Sequence, residues 1–102
     1  MTSANLIPLL IKRVMNWDVG PDRIMTGARG WMPRDRFRPE ERVADALRLL
    51  DHAVPQEYSL GKDPTGTWWA RVRISKTTGK SQEKSLPLAI CYALARALVL
   101  LG

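Results

Sequence analysis

The residues best suited to chemistry lie in "TWWARVRIS", residues 67–75, where side chains of different character alternate. Because successive side chains of a strand point to opposite faces, Trp69, Arg71 and Arg73 are predicted to share one face. An aromatic ring beside arginines suits base stacking and phosphate neutralisation, and Trp and Arg are also enriched in the energetic centres of protein interfaces. The alternative is a helix that covers Trp69 and leaves the arginines at its rim, since both faces of a strand are commonly covered in a sandwich.

Further basic residues follow this strand, namely Lys76, Lys80 and Lys84. Five basic residues and one acidic residue lie between 71 and 84, so this segment contributes +4 of the net charge of +6. Such a charge favours polyanionic partners or an acidic protein surface, whereas the alternative is a solvated basic surface that only promotes solubility. The arginine-rich residues 18–38 add two more candidate partner-binding residues, Arg34 and Arg36, although acidic residues alternate with the arginines there.

The sequence contains no recognisable catalytic set. His52 is the single histidine and Cys91 the single cysteine, which excludes an internal disulfide and a cysteine-rich metal site. The Ser-x-x-Lys match at residues 81–84 lacks the companion motifs of the β-lactamase type. The Gly-x-x-Gly match at residues 27–30 is explained better by a turn than by an RNA clamp. The sequence therefore predicts no catalytic, cofactor-binding or metal-binding residues, and a protein that is not an enzyme.

The pattern along the chain predicts one α+β domain over residues 1–102. Helices are predicted over residues 6–17 and 39–54, an irregular arm over 18–38, strands over 56–61, 67–75 and 81–85, and turns over 62–66 and 76–80. Strands joined by such turns form an antiparallel sheet on which the helices pack. The middle helix shows an apolar stripe formed by Val43, Ala46, Leu47, Leu50 and Val54.

The C-terminal stretch "SLPLAICYALARALVLLG", residues 85–102, is almost wholly apolar. A membrane-spanning helix needs about 20 apolar residues, and this stretch is shorter and contains Arg96. We therefore expect a central helix with Cys91 in the core, which begins after a Ser85 cap and has Pro87 in its first turn. The N-terminal residues lack the leading positive charge of a signal peptide, so we expect a cytoplasmic protein.

Four segments together resemble a known family, the phage ABA sandwich domain: "LIKRVMNWDV", "ADALRLLDH", "WWARVRI" and "LPLAICYALARAL". The resemblance covers most of the chain in order and is weakest over residues 18–38. It implies an α/β/α sandwich and an origin in a phage or prophage. It implies no activity and no catalytic residues, because the family has none assigned.

Three functions follow as hypotheses. The first is a phage accessory protein that binds a host protein or a protein–nucleic acid complex, for example to block a CRISPR complex or another defence factor. The second is a protein that binds nucleic acid or a nucleotide signal through the basic strand. The third is a structural protein that associates with itself through Met25, Trp31 and Trp69.

Overall fold

A computed structural model of the protein describes residues 3–100, which form three helices and two antiparallel sheets. In chain order the elements are α1 (Ser3–Met15), β1 (Asp18–Val19), β2 (Arg23–Met25), β3 (Trp31–Pro33), α2 (Val43–His52), β4 (Glu57–Lys62), β5 (Trp68–Ile74), β6 (Thr77–Glu83) and α3 (Leu86–Ala97). The predicted α+β class and the predicted order of elements are confirmed, and β1, β2 and β3 are short strands within the arm.

Helix α3 is the central element, because it contacts β5 and β6 of the larger sheet as well as α1 and α2. Eight of its residues are buried, and Cys91 is fully enclosed. The Ser85 hydroxyl accepts a hydrogen bond from the Leu88 N–H at 3.4 Å, and Pro87 lies in the first turn. The predicted central helix is therefore confirmed. Within residues 3–100, every helix is too short or too polar to cross a membrane.

The contact between α3 and β6 is close because both elements carry small residues. Gly79 of β6 lies against the α3 backbone at Ala93 and Ala97, where an added Cβ would overlap that backbone. Two residues further along β6, the buried Ser81 hydroxyl donates a hydrogen bond to the Ala89 carbonyl. Two residues of strand advance about 6.6 Å and four residues of helix about 6 Å, so the small residues remain matched along both elements.

The hairpin between β5 and β6 is tighter than the sequence predicts. The sequence predicts a turn over residues 76–80, but Thr77 already pairs with Ile74, and only Ser75 and Lys76 form the turn. Ser75 adopts a left-handed conformation with φ 57°, which this short connection requires. As a result β6 is longer than predicted, and Lys80 lies on the sheet beside Arg71.

The arm forms a small sheet in the order β1-β2-β3. The predicted strand at Ile24 and Met25 and the predicted strand at Trp31 and Met32 are both present. Ile24 is fully buried and attaches this sheet to the core. The Arg34 guanidinium donates a hydrogen bond to the Gly20 carbonyl at 2.8 Å, which ties the end of the arm to its beginning.

Two helices differ from their predicted bounds. Helix α1 begins at Ser3, so Pro8 lies inside it instead of in its first turn, and burial of Leu6, Leu10 and neighbouring residues outweighs the lost hydrogen bond. Helix α2 begins only at Val43, after turns in which the Arg38 N–H donates to the Asp45 carboxylate at 2.9 Å. Its buried face is Ala46, Leu49 and Leu50. The predicted stripe was therefore wrong at its exposed members: Val43, Leu47 and Val54.

We expect Gly79→Ala to lower the free energy of unfolding by roughly 1–3 kcal/mol, because the new methyl group must push α3 away from β6. The matched control is Gly27→Ala, where an added Cβ meets no atom within 4 Å. Urea denaturation of both variants measures the difference. Equal stability of the two variants would contradict the close contact.

Burial raises the pKa of the Cys91 thiol from its usual 9.0 to about 12, and the Glu40 carboxylate adds to this effect. The stability that depends on the neutral thiol is therefore complete below pH 9 and decreases between pH 9 and 12. Over that range we expect the wild type to lose about 1.4 kcal/mol per pH unit more than Cys91→Ala. Urea denaturation at pH 8 and pH 10.5 measures the loss, and parallel losses in the two proteins would contradict it.

Candidate binding site on the larger sheet

The register of the larger sheet places nine residues on one face, which we call the open face. Across the three strands they form three rows: Glu57, Arg73 and Thr78; Ser59, Arg71 and Lys80; and Gly61, Trp69 and Gln82. The opposite face includes the buried residues Ala70, Val72 and Ser81, on which α3 packs. The predicted division of β5 between two faces is confirmed, because burial alternates along the strand.

No helix of residues 3–100 packs on the open face. Helix α3 covers the opposite face, and α1 and α2 pack on α3 instead of on the larger sheet. Trp69 is 38% exposed, and Arg71 and Arg73 are exposed beside it. The sequence leaves open whether a helix covers Trp69. In the structure, no helix of residues 3–100 covers it.

The indole ring of Trp69 lies against the backbone of β4 at Gly61. A Cβ added at Gly61 would overlap Cε2, Cζ2 and Nε1 of that ring, so only glycine leaves room for it. An aromatic side chain placed over a glycine on the neighbouring strand shields the exposed backbone of that strand. The contact orients the ring along the sheet, and part of the ring surface remains accessible to solvent.

A groove of about 520 Å³ opens beside Trp69 at the β6 side of the open face. Eight residues line it: Ala70 and Ser81, together with the polar, charged and aromatic residues Asp63, Trp69, Arg71, Lys80, Gln82 and Arg96. Three are cationic and one is anionic, so the groove favours an anion. Its size lies within the range of small-molecule sites, about 300–1,000 Å³.

Arg96 enters the groove from α3, and the sequence did not identify it as a site residue. Its guanidinium donates a hydrogen bond to the backbone carbonyl of Lys80, which lies on the edge strand of the sheet. The sequence contains one indication that Arg96 belongs to the site: it lies three residues after Ala93. A residue at this spacing lies beside the face of α3 that contacts β6. That inference needs the pairing of α3 with β6, which the sequence alone does not supply.

The three cations of the groove have little compensation from acidic residues. Among residues 5–100, no carboxylate lies within 4.0 Å of the charged nitrogens of Arg71, Lys80 or Arg96. Arg71 and Lys80 are also direct cross-strand neighbours, and like charges in this position destabilise a sheet. An anion bound between them would relieve this repulsion.

The acidic residue of the groove is held at its margin by a separate hydrogen-bonded cluster. The Gln82 amide nitrogen donates to the Asp63 carboxylate and to the Thr67 hydroxyl, both at 2.8 Å. Both hydrogens of that amide group are thereby engaged. The Gln82 amide oxygen remains as an acceptor for a ligand.

The structure brings together only part of the predicted set of binding residues. Trp69, Arg71 and Lys80 line the groove. Arg73 lies on the open face, where its guanidinium is 3.8 Å from the Glu57 carboxylate. Lys76 in the β5–β6 turn and Lys84 after β6 are exposed and lie outside the lining of the groove.

The arginines of the arm are separate from this surface. Arg34 holds the arm together through its bond to the Gly20 carbonyl, and Arg36 is exposed in a short 3-10 turn. Met25 and Trp31 pair across β2 and β3 with exposed side chains, and the Arg23 guanidinium lies 5.1 Å from the centre of the Trp31 ring. The glycines at residues 27–30 belong to the loop between these two strands, without the flanking helices of an RNA clamp.

The remaining motif has a structural role. Ser81 of the Ser-x-x-Lys match lies inside β6 and bonds to α3, whereas the β-lactamase motif requires a helix start. Within the described residues, no group of three or more His, Cys, Asp or Glu side chains is arranged to hold a metal ion.

Comparison with known proteins identifies relatives of this fold. The model of the phage ABA sandwich domain family matches residues 9–94. A crystal structure of a phage protein from Bacillus cereus ATCC 14579 superposes with a TM-score of 0.75 over 95% of this chain and 92% of the other, at 12% identity. At that identity the likeness shows a shared fold. The search of curated proteins gives no match.

Gly61→Ala should displace the Trp69 ring while the fold is retained, because a side chain can rotate away from the new methyl group. We expect the indole N–H resonance of Trp69 to shift in ¹H–¹⁵N spectra, while those of Trp17, Trp31 and Trp68 stay in place. Trp69→Phe assigns the resonance. An unchanged Trp69 resonance in Gly61→Ala would contradict the contact.

Proposed function

The chain belongs to the phage ABA sandwich domain family, and we propose that it serves a phage or prophage as a binding module without enzymatic activity. The observation that carries the proposal is the two-sided character of the larger sheet. One face is covered by α3, while the open face presents Trp69 and three cationic residues in register to solvent.

We include no enzymatic activity in the proposal because of where the single histidine and the single cysteine lie. His52, the single histidine, is exposed at the end of α2, and Cys91 is buried with a raised pKa of about 12. A thiol with such a pKa is protonated at neutral pH and is a poor nucleophile. Neither residue lines the groove.

The chemistry of the open face favours an acidic partner surface. Arg71, Arg73 and Lys80 provide positive charge, and Trp69 provides a large apolar contact of the type found in interface hot spots. These side chains stand on hydrogen-bonded strands, so less conformational entropy is lost on binding than for side chains on a mobile loop.

The role that we propose for this surface is occlusion of a host defence factor. A protein that blocks its target needs a rigid complementary surface and no turnover, which agrees with a small fold whose open face lies on hydrogen-bonded strands. The target is a host protein or a protein–nucleic acid complex that exposes negative charge where the open face docks.

Affinity capture from host lysate at physiological salt tests this function. The immobilised wild type should retain a host component that Arg71→Glu/Arg73→Glu loses, because two charge reversals repel an acidic surface. The control Arg13→Glu/Arg29→Glu makes the same charge change at exposed positions outside the open face and should retain the component. Equal retention by both double variants, or no retained component, would overturn the proposal.

A further inference from the structure

We propose that the groove beside Trp69 is a nucleotide-binding site, with the base on the indole ring and the phosphate among Arg71, Lys80 and Arg96. This inference goes beyond capture of a macromolecular partner, because it assigns a small-molecule site. The groove is open to solvent, about 520 Å³ in volume and lined by charged and polar side chains and one aromatic ring. A volume of this size and a few polar groups beside an aromatic ring are typical of small-ligand sites.

The phosphate position follows from three cations that line the groove from three different elements. Arg71 and Lys80 are adjacent on β5 and β6, and Arg96 reaches them from α3. The hydrogen bond from Arg96 to the Lys80 carbonyl fixes its guanidinium at the edge strand. A guanidinium carries five N–H donors, so this bond leaves donors for phosphate oxygens. Hydrogen bonds from charged donors to phosphate oxygens are about twice as strong as neutral ones, so three cations that line one groove favour a phosphate group there.

The base position follows from the Trp69 ring. Contact with Gly61 orients the indole along the sheet, which makes it a stacking platform for a planar base. Trp69 and Arg71 are two residues apart on one strand face, a separation of about 7 Å. One sugar separates the base from the phosphate in a nucleotide, so a single nucleotide spans this distance.

The polar margin of the groove suits the edge of a base. The Gln82 amide nitrogen is engaged by Asp63 and Thr67, which orients the amide and leaves its oxygen as an acceptor. Exocyclic amino groups of adenine, guanine and cytosine are donors for such an acceptor. The ligand class is therefore a free nucleotide with an amino-bearing base.

Isothermal titration of the purified protein with ADP tests this site, with adenosine and inorganic pyrophosphate as partial ligands. We expect ADP to bind more tightly than either partial ligand. Lys80→Gln and Trp69→Ala should each weaken ADP binding by about tenfold or more, through loss of a charged contact and of base stacking. Lys76→Gln removes the same charge outside the groove and should leave affinity within about twofold.

Three outcomes would overturn the inference. They are no ADP affinity at millimolar concentration, equal weakening by Lys80→Gln and Lys76→Gln, and binding of a single-stranded 12-nucleotide DNA without binding of ADP. The first outcome would mean that the groove does not bind the nucleotide. The second would mean that any positive charge on the surface contributes equally, and the third that the surface binds a nucleic acid polymer. The titration contains no host component, so its failure is distinguishable from a failure of the lysate capture.

Discussion

The close contact between Gly79 of β6 and the α3 backbone at Ala93 and Ala97 is the constraint on which the rest of the structure depends. It brings the apolar central helix against the edge strand, and α1 and α2 then cover the remaining sides of that helix. The same contact sets the position of Arg96, because a residue three positions after Ala93 lies at the flank of the helix beside β6. A packing requirement of the core thereby places a cation at the candidate site.

The two faces of the larger sheet have different roles. Residues that face α3 supply burial, and Ala70 and Val72 are almost wholly inaccessible to solvent. The open face contributes little burial and places Arg71 opposite Lys80, an arrangement that is unfavourable in the free protein. Cross-strand repulsion of this kind is tolerated because the opposite face stabilises the sheet. An anionic partner would relieve the repulsion between Arg71 and Lys80, and both the acidic partner surface and the nucleotide are proposed on this basis.

Much of the fold was predictable from the sequence, because two of its patterns each fit only one kind of secondary-structure element. The alternation in "TWWARVRIS" fits a strand with one buried face, and an all-round apolar segment with one arginine fits a covered helix. The predictions failed where tertiary pairing overrides local preference. "KTTGK" has turn chemistry, yet pairing with β5 extends the strand through Thr77. The groove could not be predicted, because Arg96 and Lys80 are 16 residues apart and meet only through packing.

The hydrogen bond from Arg96 to the Lys80 carbonyl also affects the outer edge of β6. An edge strand with free backbone groups can pair with a strand of another molecule, which is a common start of aggregation. The guanidinium occupies one of these acceptors and places a charge where an incoming strand would lie. Growth of the sheet at β6 is thereby opposed. The far edge of the sheet is formed by β4, which has the charged residues Glu57 and Lys62 at its two ends.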